Sequence, residues 1–304
     1  MIGTTSRKAI SVAAGLLLVN AGTATGFQLR APQQQVSSFG AIAVQKGTSP
    51  LVQHNAAPVS RTILSASSTA SDNDRVLDTE AIGKYAGAIA IQMALITGLF
   101  TGLDALQAAT GIQLPFAANF FFFFIFALKS RIFNPMSNER PQKETKEIKE
   151  AEQRKMPEWT PPGVVFPIVW ILLIGPLRAA SSAILVGGGA SYASPAILAL
   201  MLHLSIGDTW NTINNVERRY GTSMVGVACV WLSAAYAAFS YGQVDALAGK
   251  LLSLPLIWLT IASSLIVRTW QINPAENGEK ETILPTKPAG QEGSITKLVW
   301  FEKE

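Results

Sequence analysis

Residues 247–273 read LAGKLLSLPLIWLTIASSLIVRTWQIN. Lys250 near the start and Arg268 near the end are the only charges in this run. A segment apolar on every face needs lipid or a large protein core around it, and about 20 such residues span a bilayer as a helix. Toward the N-terminus there are five more runs of this kind. The six are A, about 85–107; B, 114–133; C, 163–185; D, 194–214; E, 222–243; and F, 247–271. Helix-breaking residues separate them: Gly111 and Pro115, then Gly187–Gly189 and Pro195, then Arg218, Arg219 and Gly221, then Gly242 and Asp245. The fold class expected is all-α, a polytopic membrane helix bundle.

Composition agrees. Hydrophobic residues make up 49% and charged residues 14%, against about a quarter charged in a soluble domain. The mean hydropathy is +0.29. The single cysteine, Cys229, excludes an internal disulfide and a Cys-cluster metal site, and reads as a buried small residue of E. His54 and His203 leave little for metal catalysis. The net charge of +4 is local: residues 1–71 hold five basic residues and no acid, leaving 19 Lys+Arg against 20 Asp+Glu beyond them. By charge the membrane part is not a nucleic-acid binder.

Six crossings put the N-terminal approach, the B–C loop, the D–E loop and the C-terminal tail on one side. That side carries Lys84, Lys129, Arg131, the basic residues of 140–155, Arg218, Arg219 and Arg268; the other shows Lys250, with Arg178 near the end of C. This asymmetry agrees with the positive-inside rule and supports an even count.

Arg7-Lys8 and AISVAAGLLLV form a charged start and a short apolar run, as in a signal peptide over 1–26. Residues 27–71 are basic, acid-free and rich in Ser, Ala, Gln and Thr, as in a transit peptide. With Phe27 just after AGTATG, the pair resembles the bipartite presequence of algae with secondary plastids; the alternative is a disordered tail behind a secretory signal. Asp72 marks the neighbourhood of the mature start. Residues 139–155 predict a solvated helix with i,i+4 ion pairs such as Lys143/Glu147. Residues 274–304 read as a polar, mobile tail, with LVWFEK suited to an interface.

Two stretches are specific. In 159–175, WTPPGVVFPIVWILLIG, the positions Pro161, Pro162, Val165, Phe166, Val169 and Trp170 match the loop-to-helix signature of the TspO/MBR family, the tryptophan-rich sensory proteins that include the mitochondrial translocator protein. In 247–273, Leu247, Ala248, Gly249, Leu251, Leu252, Trp258, Ala262, Trp270 and Asn273 match that family's last helix in register. The chain therefore resembles a TspO-like five-helix core over 114–273, preceded over 72–113 by a linker and one extra transmembrane helix. It departs from the family at Val164, Ile174, Gly207 and Ile266. Val267 and Gln271 stand where a cholesterol-recognition pattern needs Tyr and Arg, so cholesterol binding is not implied.

Polar groups inside a membrane are costly and point to function. His203, Gly207, Trp210 and Asn214 share one helical face of D, Phe166 and Trp170 one face of C, and Trp258 and Ala262 one face of F. Phe166, Trp170, His203, Trp210, Trp258 and Ala262 would line an aromatic cavity with one imidazole, suited to a flat tetrapyrrole. Alternatively the aromatics are packing and His203 bonds a neighbouring helix; axial ligation of a metal tetrapyrrole is a third use. Arg178 would pair with Asp104 or reach toward the interface, and Asp208 lies at the depth of Arg268. Phe120–Phe124 reads as packed or lipid-facing bulk.

The resemblance implies a membrane protein binding a hydrophobic ligand, a porphyrin or other tetrapyrrole, for sensing, transport or sequestration in a plastid membrane. The alternative is a structural or assembly subunit of a photosynthetic membrane complex. Membrane lipid, a hydrophobic small molecule, and a second copy in a homodimer or such a complex are the expected partners; nucleic acid is not. No nucleophile–base set or carboxylate pair supports catalysis.

Overall fold

A computed structural model describes residues 75–139, 154–275 and 278–302. The targeting segments expected over 1–71, and all but the ends of the solvated helix expected over 139–155, lie outside the described residues.

Six helices form where the six apolar runs fall. They are α1 Thr79–Thr110, α2 Phe116–Lys129 with a 3-10 turn Ser130–Phe133, α3 Val165–Gly187, α4 Pro195–Asn215, α5 Tyr220–Val244 and α6 Ala246–Ile272. Local chemistry explains their ends. The Asp78 carboxylate accepts the Ala81 N–H at 3.0 Å to start α1, and Gly111, with φ 66°, closes it by donating to Gln107 O. Pro195 opens α4, where a missing N–H costs no helical bond. Asp245 caps α6 by accepting the Ala248 N–H at 2.8 Å, and Pro255 divides that helix after Leu254.

The chain is a polytopic helical membrane bundle. Five of the six helices are long and apolar enough to cross a membrane; α4 is the exception. Its Ser205, Thr209, Thr212 and Asn214 are buried against protein rather than lipid. It packs on α1 and α5, while α2 packs on the second half of α3. Exposed Leu172, Phe239 and Ile257 lie on the outer faces, where lipid covers them. Helices α5 and α6 approach closely at Gly242 and Gly249: a Cβ on Gly249 would sit 2.5 Å from Gly242 Cα.

The phenylalanine run belongs to this packing. Phe123 is buried and Phe121 exposed. Phe100, Phe122, Phe123 and Phe126 pack with Tyr192 in tilted, edge-on and stacked pairs.

The C-terminal tail departs from expectation, because it is folded. Thr286–Pro288 pairs antiparallel with Arg75–Leu77. Met136 bridges to Leu298, and the Glu281 carboxylate accepts the Tyr220 and Gly221 N–H groups at 2.7 and 3.1 Å. Lys84 pairs with Glu80 and Glu302. The tail thus gathers the start of α1, the segment after α2 and the α4–α5 turn at one end of the bundle, the end that the charge asymmetry assigns to one side. At its centre Arg219 meets Asp78 at 2.7 Å, Ser294 donates to the same carboxylate at 2.6 Å, and Tyr85 donates to Glu217. Polarity alone argues for mobility; the backbone pairing and the buried Asp78 supply what composition does not display.

Two smaller expectations also change. Cys229 is exposed, because it faces outward from α5. Asp104 does not meet Arg178; it accepts the N–H groups of Tyr192 and Ala193 at 2.7 and 2.9 Å, tying α1 to the α3–α4 turn.

Candidate functional site

The first half of α3 is irregular, and its irregularity positions the site. Val169–Ile174 forms a π turn, in which Gly175 donates its N–H to Trp170 O five residues back. Pro176 explains it locally, since it offers no N–H to the carbonyl four residues earlier. Gly175 is needed there because a Cβ would lie 2.9 Å from the Phe124 ring and 3.2 Å from Trp170 O. The wide turn also rotates the second half of α3 relative to the first. Eight residues of regular helix place two side chains about 80° apart, and one extra residue in a turn takes back about 100°. Trp170 and Arg178 therefore come to one side, with the guanidinium 5.3 Å from the Trp170 ring.

Arg178 is buried and holds His203. Its Nη2 lies 2.6 Å from His203 Nε2. His203 Nδ1 lies 3.1 Å from both Val230 O and Ser233 Oγ. A carbonyl only accepts, so the hydrogen belongs on Nδ1, and bare Nε2 accepts from Arg178. Both ring nitrogens of His203 are therefore engaged, which joins α3, α4 and α5 around one buried cation.

The aromatic residues expected at the site gather in two groups. Phe166 and Trp258 meet edge to face, with ring centroids 5.7 Å apart, joining α3 to α6. Trp170 and Trp210 both pack on the buried cluster of Val230, Ala234 and Leu259, together with Trp231 and Leu256. Trp210 donates Nε1–H to Ser223 O at 3.0 Å and lies against Gly226, where a Cβ would come within 2.8 Å of its ring. Ala262 sits one turn beyond Trp258 on α6. Phe166, Trp170, Trp210, Trp258 and Ala262 are each half-buried, whereas His203 is enclosed. A Cβ on Gly207, one turn from His203, would meet nothing within 4 Å. Trp258 Nε1 is buried and has no hydrogen-bond partner among the described residues.

Asp208 takes its hydrogen bonds from other segments, while its charge acts on Arg178. Its carboxylate accepts from Gln92 and Ser130, each at 2.8 Å, while Arg131 bonds its carbonyl at 2.9 Å. Arg268, expected at the same depth, is exposed and bonds Gln271. Among the described residues no group of three His, Cys, Asp or Glu is placed to hold a metal ion.

Residues 121–271 match the model of the TspO/MBR family. The chain is 30% identical over 125 residues to "Protein CrtK" of Rhodobacter capsulatus, covering 40% of this chain and 77% of the relative. It is 31% identical over 119 residues to a "Tryptophan-rich sensory protein" of Cereibacter sphaeroides, covering 38% of this chain and 72% of the relative. The chain belongs to the TspO/MBR family. The family match starts inside α2 and ends at the close of α6, so it takes in every residue of the aromatic site. Helix α1 and the folded tail lie outside it.

Sequence spacing missed two parts of this TspO/MBR site. The Arg178–His203 bond was hidden because a regular helix would not align Arg178 with Trp170; the signal available was Gly175-Pro176 inside an apolar run. The unpartnered Trp258 Nε1 depends on what does not approach it, which no spacing encodes.

Proposed function

We propose that the aromatic site between α3, α4, α5 and α6 binds a flat hydrophobic ligand, a tetrapyrrole or a product of its breakdown. Sensing, transport or sequestration of that ligand in a plastid membrane is the proposed role. The observation that carries the reading is the Phe166–Trp258 pair, half-buried and edge to face, with a buried Trp258 N–H that no described protein atom satisfies. A buried donor left unpaired costs about 1–3 kcal/mol, and an acceptor on a bound ligand removes that cost. Half-buried indole and phenyl faces offer stacking and edge contacts to a planar ring. Family membership supports the reading, since a relative carries the printed name of sensory protein.

Titration of protoporphyrin into purified protein, followed by tryptophan quenching, tests it. Micromolar binding by wild type is expected. Trp258→Ala removes ring contact and donor together, and Ala262→Phe fills space one turn away, so both weaken binding at least tenfold while the helical signal is unchanged. Wild type that binds no tetrapyrrole at micromolar concentration, or variants that bind as well as wild type, would refute the proposal. The role as a structural or assembly subunit of a photosynthetic membrane complex then takes its place, supported by α1 and the folded tail lying outside the family match. The plastid address is tested separately: residues 1–71 fused to a fluorescent protein enter the plastid, and Phe27→Ala strands the fusion at an earlier membrane.

A further inference from the structure

The end of the tail presents side chains that its own packing does not use. Leu298 bridges to Met136, the Phe301 and Glu302 N–H groups both donate to Leu298 O, and Glu302 pairs with Lys84. The turn is fixed at both ends, yet Val299, Trp300 and Phe301 face outward, 45%, 46% and 66% exposed. Three consecutive large apolar side chains on a surface mark a place where something covers them. Beside them, between the tail and the end of α2, lies a cleft of about 980 Å³. Leu128, Lys129 and Ile132 line it from α2 and its 3-10 turn, Asn138 and Glu139 from the segment that follows, and Trp300 and Phe301 from the tail.

Two observations say what occupies it. The first is continuity with the lipid-facing surface. Phe121, Ile125, Leu128 and Ile132 fall at helical spacing and are all exposed, so they form one outer stripe of α2. From Phe121 to Ile132 the stripe rises about 16 Å, close to the hydrocarbon depth of one leaflet, about 15 Å. Its last two residues line the cleft, so an acyl chain lying along the stripe brings its own headgroup there. Trp300 then sits where indole rings settle, at the membrane–water interface.

The second is charge. Arg131 also lines the cleft, but its guanidinium is fixed by Asp208 O, Ser137 O and Thr212 Oγ1, and the Asp208 charge acts on it. Lys129 is exposed and forms no ion pair among the described residues, so it is the cation that the cleft presents. Of the carboxylates in the lining, Glu302 is held by Lys84, and Glu139 is exposed. A headgroup with one phosphodiester and free hydroxyls fits this set. The phosphate meets Lys129, and the hydroxyls donate to the oxygens of Asn138 and Glu139. Lys and Arg beside a membrane draw anionic lipid by the same attraction.

We propose that this cleft seats an anionic phospholipid of the phosphatidylglycerol type, with its phosphate at Lys129, an acyl chain on the α2 stripe, and Trp300 and Phe301 beside the glycerol. The seat is separate from the aromatic site between α3 and α6. It couples the folded tail, which lies outside the family match, to the lipid of one leaflet.

The full chain in phosphatidylcholine nanodiscs tests it, with a small fraction of lipid brominated on the acyl chain to quench nearby indoles. Brominated phosphatidylglycerol is expected to quench wild type at least threefold more than brominated phosphatidylcholine at the same mole fraction. Indoles that meet bulk lipid respond to both alike, so the difference reports the seat. Trp300→Phe and Lys129→Gln each remove that difference, while Lys129→Arg keeps it. Protoporphyrin affinity is unchanged in all three, which separates the seat from the aromatic site. Equal quenching of wild type by the two lipids overturns the proposal, as does a difference that survives in Trp300→Phe or Lys129→Gln. A dimer that forms without phosphatidylglycerol and is broken by Trp300→Ala with Phe301→Ala gives the face to a second copy, and also overturns it. If a variant does not fold, the comparison of the two lipids on wild type decides by itself.

Discussion

The capped end of the bundle and the aromatic site are built differently. At the cap polar groups are densely paired, although Glu217 Oε1 and Arg219 Nη1 are buried without a described hydrogen-bond partner: Asp78 takes hydrogen bonds from Ser294, Arg219 and Ala81, Lys84 meets two carboxylates, and Glu281 takes two backbone N–H groups. At the aromatic site polar groups are sparse: Trp258 Nε1 has no described hydrogen-bond partner, and Arg178 is hydrogen-bonded to an imidazole, with Asp208 acting on it through charge alone. The helices beside the site are also less regular, with a π turn in α3 and a proline break in α6. The cap joins polar groups from distant segments, whereas the aromatic site presents ring faces and one buried indole N–H without a described partner. That difference separates a part that fastens helices from a part shaped to receive something.

The sharpest way to break the contrast is to damage the cap. A Cβ on Gly221 would sit 2.1 Å from Thr282 O, a backbone atom that cannot yield without moving the tail. Gly221→Val is expected to release residues 278–302, read as rapid protease cleavage of the tail, while porphyrin affinity changes less than twofold. Next in size is the buried ion pair. Arg219→Ala leaves Asp78 unpaired and is expected to cost about 3–5 kcal/mol, measured as a lower melting temperature.

Acid gives a milder test of the same end. Burial pushes the Asp78 carboxyl up, but hydrogen bonds from Ser294, Arg219 and the Ala81 N–H together outweigh it, so the group sits below the ordinary carboxylate value. Such a group contributes stability that is complete above the unfolded value and lost as pH falls through the folded one. The Lys84 hydrogen bond lowers Glu302 likewise. Burial raises Glu217 and Glu281, which have the opposite sign and favour the cap as they take up protons. Tail release on acidification is therefore expected to depend on Asp78 and Glu302, and Asp78→Asn should flatten it. A release profile unchanged in that variant would show that other groups govern the cap.

The smallest effect expected is at the α5–α6 contact. Gly249→Ala must push the two helices apart, because Gly242 Cα is only 2.5 Å from the added Cβ. A stability loss of about 1–3 kcal/mol is expected, read as a lower melting temperature.

Much of this contrast is legible in the residues themselves. The six apolar runs match the six helices closely because breakers mark every boundary, and the charge asymmetry matches the shared end. The aromatic residues are legible through helical spacing and the family signature. The cap is not, because its strength lies in pairing between residues about 210 positions apart, such as Arg75 with Thr286. Nor is α4 distinguishable as the interior helix: its buried polar groups find partners supplied by other segments. Arg178 is visible as a charge in an apolar run, but its partner depends on a π turn that changes the face it shares.

The central claim is that ligand enters at the aromatic site and not at the cap. A photoreactive porphyrin carrying a diazirine, crosslinked in membranes and mapped by mass spectrometry, tests it most directly. The account expects labelled peptides from α3 around Phe166–Trp170 and from α6 around Trp258–Ala262, competed away by unlabelled protoporphyrin. Labelling confined to the tail and the segment after α2, or spread evenly over the outer faces of α1 and α2 without competition, would contradict it.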